Sequence, residues 1–132
     1  MEGYINELET NGYTIIPNIL TDIECDQYSD DMWKTFEYLT DDEIKKDDTG
    51  TYKNIYKLYP LHSMLIQHYR IGHSQFIWDL RQDQRIINIF SNIYEYFLPN
   101  ESYNKLLVSF DGLSQHMPPE ITNLGWLQEN KN

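Results

Sequence analysis

A helix is required to start at Thr21-Asp-Ile-Glu24. A threonine followed three residues later by glutamate forms a capping box, in which each side chain satisfies a backbone amide that the first helical turn leaves without a partner. From there Cys25, Tyr28, Met32, Phe36 and Leu39 recur at steps of three and four, and Trp33 widens the stripe. That spacing predicts an amphipathic helix from Asp22 to about Leu39, with Cys25 on its buried side as a small hydrophobe.

A second pattern of the same kind follows further on. Asp83 is placed to cap a long helix whose buried line is Ile86, Phe90, Ile93 and Phe97, with Ile87 and Tyr94 beside it. Pro99-Asn100 ends it. A shorter N-terminal helix carrying Ile5 and Leu8 is closed by Asn11-Gly12. Ile71 to Leu80, apolar around Gly72, is read as a helical turn. Pro60 opens a short helix through His68.

The strand candidates are short. Tyr13-Thr-Ile-Ile16 is stopped by Pro17, and Tyr52 to Tyr59 alternates weakly. Leu106 to Phe110 is the best buried strand, closed by Asp111-Gly112. The fold class expected is α+β. With 132 residues and 40% hydrophobic content, a single domain spanning 1–132 has enough chain for a core.

A net charge of −11 with only ten Lys and Arg excludes a nucleic-acid binder, since phosphate contacts need clustered cations. The same charge disfavours an anionic membrane surface, and no apolar run is long enough to span a bilayer. Solubility is the plain reading of the acidity. One cysteine, Cys25, excludes an internal disulfide and a cysteine-based zinc cluster. With no signal peptide recognised, an intracellular, cytoplasmic protein is expected. The sequence lacks alanine and has one valine, Val108, beside eleven tyrosines. Codon bias in an A+T-rich genome accounts for that pattern better than a tyrosine recognition stripe does.

The residues that could carry chemistry do not assemble into a motif. His62, His68, His73 and His116 each lack the carboxylate two positions on that a His-x-Asp/Glu iron motif requires. Thr40 to Thr51 holds Asp41-Asp42-Glu43 and Asp47-Asp48, without the alternating ligands and closing Glu of a calcium loop, so a solvated loop is expected. Ser109 stands in Ser-Phe-Asp-Gly rather than a nucleophile elbow, and the glycines do not cluster into a phosphate loop.

The order of the pieces is more informative. Asn11-Gly-Tyr-Thr-Ile-Ile-Pro-Asn-Ile-Leu20 followed by a capped helix, Ile71-Gly-His-Ser-Gln-Phe-Ile-Trp-Asp-Leu-Arg-Gln82, Leu106-Leu-Val-Ser-Phe-Asp-Gly112, Pro118-Pro119 and Gly125-Trp126-Leu127 together resemble the N-terminal half of the phytanoyl-CoA dioxygenase-like branch of the Fe(II)/2-oxoglutarate oxygenases. The resemblance implies N-terminal helices packed on a small, incomplete sheet, like the first part of a double-stranded β-helix (jelly-roll or cupin-like) domain. It also implies that His-x-Asp, the first two iron ligands, should follow Trp126.

Here Gln128 stands where that family has the histidine and Asn130 where it has the aspartate, with Glu129 between them. An amide pair is a weak iron(II) set, and without the metal 2-oxoglutarate loses its chelation site. Glu129 is one residue out of register, so on a strand its side chain is expected to face the opposite side. No catalytic, cofactor or metal residue is therefore assigned.

The leading expectation is a truncated, catalytically inactive relative that acts as an interaction module, with a protein partner or a second copy meeting an open sheet edge. One alternative is part of an active Fe(II)/2-oxoglutarate dioxygenase completed by further chain or a partner. A second alternative is an unrelated small structural protein.

Overall fold

The computed structural model describes residues 2–58, 65–99, 106–116 and 120. Four α-helices, α1 (Glu2–Asn11), α2 (Asp22–Leu39), α3 (Gln75–Gln82) and α4 (Gln84–Phe97), accompany two short strands, β1 (Leu65–Ile66) and β2 (Leu113–Ser114). The strands pair antiparallel, Leu65 opposite Ser114 and Ile66 opposite Leu113. The class is α+β. Backbone contacts divide the chain into two compact units, one from Met1–Cys25 with Asp79–Val108, the other from Asp26–Trp78 with Ser109–Asn132.

The second unit contains most of the buried apolar side chains. Among the described residues these are Phe36, Ile44, Ile55, Leu58, Ile66, Ile71, Phe76 and Ile77, whereas Ile5 alone is buried in the first unit. Phe36 is the only fully covered position on α2. Trp33 sets its edge against Phe36 and stacks on Tyr52, with ring centroids 4.6 Å apart.

Two readings of this unit are corrected. The segment from Tyr52 is neither a strand nor an extended connection but a 3-10 helix, Thr49–Leu58. At three residues per turn, Tyr52, Ile55 and Leu58 fall on one side, so a three-residue period outweighs the weak alternation. The loop at 40–51 folds over a fully buried Ile44. Thr40 Oγ1 donates to the Phe36 carbonyl at 2.7 Å and accepts from the Ile44 amide at 3.3 Å, which satisfies the buried hydroxyl twice.

The strand expected at Leu106 to Phe110 does not form; Leu107 is 98% exposed and pairing begins only at Leu113. The cause is close backbone approach on either side of Asp111. A Cβ on Gly72 would run into the Asp111 carbonyl oxygen, and one on Gly112 into the Ile66 carbonyl oxygen. The absence of side chains at these two glycines lets the segments meet. Of the helix read over Pro60 to His68, residues 60–64 lie outside the described residues. The remainder is β1 and a turn, in which Tyr69 and Arg70 both take left-handed φ values of 60° and 55°.

In the first unit, α1 ends as read. Gly12, at φ 77°, donates its amide to the Leu8 carbonyl at 2.9 Å. The strand expected at Tyr13 to Ile16 does not form among the described residues. Thr14 Oγ1 instead donates to Glu7 Oε2 at 2.8 Å, holding the segment to α1. Both predicted N-caps are present. The Thr21 amide donates to Glu24 Oε2 at 2.8 Å and the Glu24 amide to Thr21 Oγ1 at 3.3 Å, while Asp83 accepts the Arg85 amide at 2.8 Å.

Candidate functional site

The residues proposed for chemistry are dispersed. His68 lies in the turn after β1 with its ring edge toward Tyr69. His73 stacks nearly parallel on Phe110, 4.9 Å between centroids, and Trp78 meets the same ring edge-on. His116 Nε2 lies 2.9 Å from Ser114 Oγ, both exposed. His62, Trp126, Gln128, Glu129 and Asn130 lie outside the described residues. Among those described, no three His, Cys, Asp or Glu side chains come together to hold a metal ion. Cys25 is exposed rather than buried, because the stripe of α2 is covered near Phe36 and not at its first turn.

The two later segments of the resemblance do meet. Gly72, from Ile71–Gln82, lies against the carbonyls of Phe110 and Asp111 from Leu106–Gly112, and His73, Trp78 and Phe110 close the contact with their rings. The result is a packing joint.

An open cleft of about 390 Å³ lies at the end of α2, lined by Lys34, Glu37, Tyr38, Asp41 and Asp42. Its charges are largely engaged internally. Lys34 pairs with Asp31 and Lys45 with Asp42, and Glu37 Oε1 accepts the Lys46 amide at 3.0 Å. A ligand would have to displace these contacts.

The helix α4 is different. Its pattern is strongly amphipathic, yet none of its residues is buried. Phe90, Tyr94 and Phe97, at i, i+4 and i+7, share one face and are exposed by 52%, 44% and 46%, with Leu98 following at 47%. The sequence reading placed Phe90 and Phe97 in the core, and the structure corrects this. The signal lay in α1, which offers only Tyr4, Ile5 and Leu8 to cover a fourteen-residue helix.

α1 meets the flank of α4 instead. Asn92 Nδ2 lies 3.5 Å from Tyr4 Oη, and Tyr96 Oη donates to Glu9 Oε2 at 3.1 Å. The Glu9 carboxylate pushes the Tyr96 hydroxyl pKa above its ordinary value. At 100° per residue, positions 95 and 96 both fall about 130° from the aromatic line, on the face shared with Asn88 and Asn92.

Arg85 fixes the start of α4. Its Nη1 and Nη2 donate to the two oxygens of Glu24 at 3.0 and 2.7 Å, and its Nε and Nη2 reach Asp83 at 2.9 and 2.6 Å. The guanidinium draws both carboxyls down to about 2, Glu24 also through the Thr21 amide and hydroxyl.

No family model, curated protein or solved structure matches the chain. Among the described residues no helix is long and apolar enough to cross a membrane.

Proposed function

We propose that the chain is a non-catalytic interaction module, on a scaffold related to the phytanoyl-CoA dioxygenase-like oxygenases and their double-stranded β-helix, that binds another protein through α4. The observation that carries the interaction reading is the partly exposed apolar line Phe90, Tyr94, Phe97 and Leu98. A contiguous apolar surface of this kind on a folded chain marks a contact site. The sheet is a less suitable place for a partner. Its strands are two residues long and present few backbone groups for strand addition.

The scaffold reading is supported by the packing of Gly72, in Ile71–Gln82, on the Phe110 and Asp111 carbonyls. The non-catalytic reading rests on Gln128 and Asn130, whose amides are poor donors for Fe(II) beside imidazole and carboxylate. Incubating the full chain with Fe(II), 2-oxoglutarate and oxygen tests it. Neither stoichiometric iron nor 2-oxoglutarate consumption is expected, and finding both overturns the non-catalytic reading. A photo-crosslinker at position 94 tests the docking face against one at Asn88 on the opposite side; equal labelling at the two positions refutes it.

A further inference from the structure

We infer that Asn11-Gly12 is a self-modifying site: the Gly12 nitrogen attacks the Asn11 side-chain amide when the C-cap of α1 opens, and the product loosens α1 from α4. The inference needs no partner and stands apart from the docking reading above.

The sequence singles out this step. Asn11 is the one asparagine followed by glycine; Asn18, Asn54, Asn88 and Asn92 are each followed by isoleucine, whose branched side chain screens the adjoining nitrogen. A Cβ built on Gly12 would meet nothing within 4 Å, so the approach to its nitrogen is open. Asn11 is exposed to the water and base that the reaction needs. In the first step the Gly12 nitrogen bonds to the Asn11 side-chain carbonyl carbon, and the amide nitrogen leaves as ammonia, taking the Gly12 proton. In the second, water opens the cyclic imide. Opening at the side-chain carbonyl leaves aspartate, and opening at the main-chain carbonyl leaves isoaspartate, in which the chain runs through the side-chain carbon. Nothing is oxidised or reduced.

The fold supplies a gate. The Gly12 amide donates to the Leu8 carbonyl at 2.9 Å, with Gly12 at φ 77°, so its proton is engaged and its nitrogen is fixed in the cap. Attack requires that bond to break, and helix ends open more readily than helix interiors. Thr14 Oγ1 donates to Glu7 Oε2 at 2.8 Å and ties the following segment back to α1, which keeps the cap shut.

The product acts on the same cap. Either acid adds a negative charge at the C-terminal end of α1, where the free carbonyls already make the field negative and no basic residue stands in the last turn. Isoaspartate also adds a backbone atom between Leu8 and Gly12, which breaks the register of their hydrogen bond. Glu9 lies in that turn and accepts the Tyr96 hydroxyl of α4 at 3.1 Å, so opening the turn releases the link.

The test incubates the full chain at mildly alkaline pH and follows it by peptide mass spectrometry and isoaspartate methyltransferase labelling. Conversion should occur at Asn11 and not at Asn18, Asn54, Asn88 or Asn92. It should run about tenfold faster in unfolding urea, where the cap is absent. Thr14→Val should speed it in the folded chain, and Asn11→Gln, whose longer side chain closes a less favourable ring, should abolish it. The converted chain, separated by anion exchange, should lose hydrogen-exchange protection in α1 while α2 keeps its own. No conversion at Asn11 in urea overturns the site. Equal rates in urea and in the folded chain overturn the gate, and unchanged α1 protection in the converted chain overturns the release from α4.

Discussion

Arg85 grips Glu24 with two parallel hydrogen bonds across a separation of 61 residues, and through Asp83 it grips the start of its own helix as well. One guanidinium therefore joins the N-cap of α4 to the capping box of α2. A planar fork facing a carboxylate is a geometry that lysine does not reproduce. Arg85→Lys should lower the melting temperature almost as far as Arg85→Met, despite keeping the charge. Thermal unfolding of the two variants side by side checks this, and full retention of stability in the lysine variant would contradict the fork's role.

The same contact sets an acid response. Glu24 and Asp83 titrate near 2 when folded, below their ordinary values of 4.5 and 3.8, chiefly because of Arg85. A carboxyl whose folded pKa is depressed stabilises the fold above its unfolded pKa and loses that contribution as pH falls. The contribution should be complete above about pH 4.5 and vanish as pH falls through about 2. Carbon-detected NMR titration of the two carboxyls reads it directly, and midpoints near 4 would show the pairs to be absent in solution.

Removing the cap isolates the local part. Thr21→Ala takes away the hydroxyl that accepts the Glu24 amide and should cost about 1 kcal/mol. Denaturant unfolding measures this, and α2 should fray from its first turn. No change in stability would mean that Glu24 holds the turn without help.

A contrast between two phenylalanines separates core from surface. Phe36→Ala empties a position with no exposed area and should cost about 3–5 kcal/mol. Phe90→Ala, half exposed, should cost less than about 1 kcal/mol. Equal losses would place Phe90 in a core and remove the docking face.

At the two glycines the expected change is the reverse, an added methyl. Gly72→Ala and Gly112→Ala each force a Cβ onto a carbonyl oxygen of the neighbouring segment and should destabilise by about 1–3 kcal/mol. Hydrogen exchange at Ile66 and Leu113 reports whether the β1–β2 pairing opens in the variants.

Local signals were legible in the sequence. Thr21 with Glu24, Asp83 and Asn11-Gly12 act within a few residues of themselves, so helix α2, the end of α1 and the start of α4 could be read directly. What depends on contacts distant in sequence could not. Leu106 to Phe110 has strand composition, but pairing was decided by where Gly72 and Gly112 admit neighbouring backbone. The line on α4 has core composition, and whether it is buried depends on how much apolar surface other elements supply. Arg85 to Glu24 leaves no trace in spacing. The histidines illustrate the same limit: nothing in the sequence paired the His73 ring with Phe110.

The two glycine contacts also bear on how this sequence can change over time. Most positions tolerate drift because a neighbouring side chain can shift to absorb a new one. At Gly72 and Gly112 the neighbour is main chain, which has no rotamer to change. Mutational scanning by residue type should find these two sites nearly invariant, while the exposed Leu107 accepts almost any replacement that keeps the chain soluble.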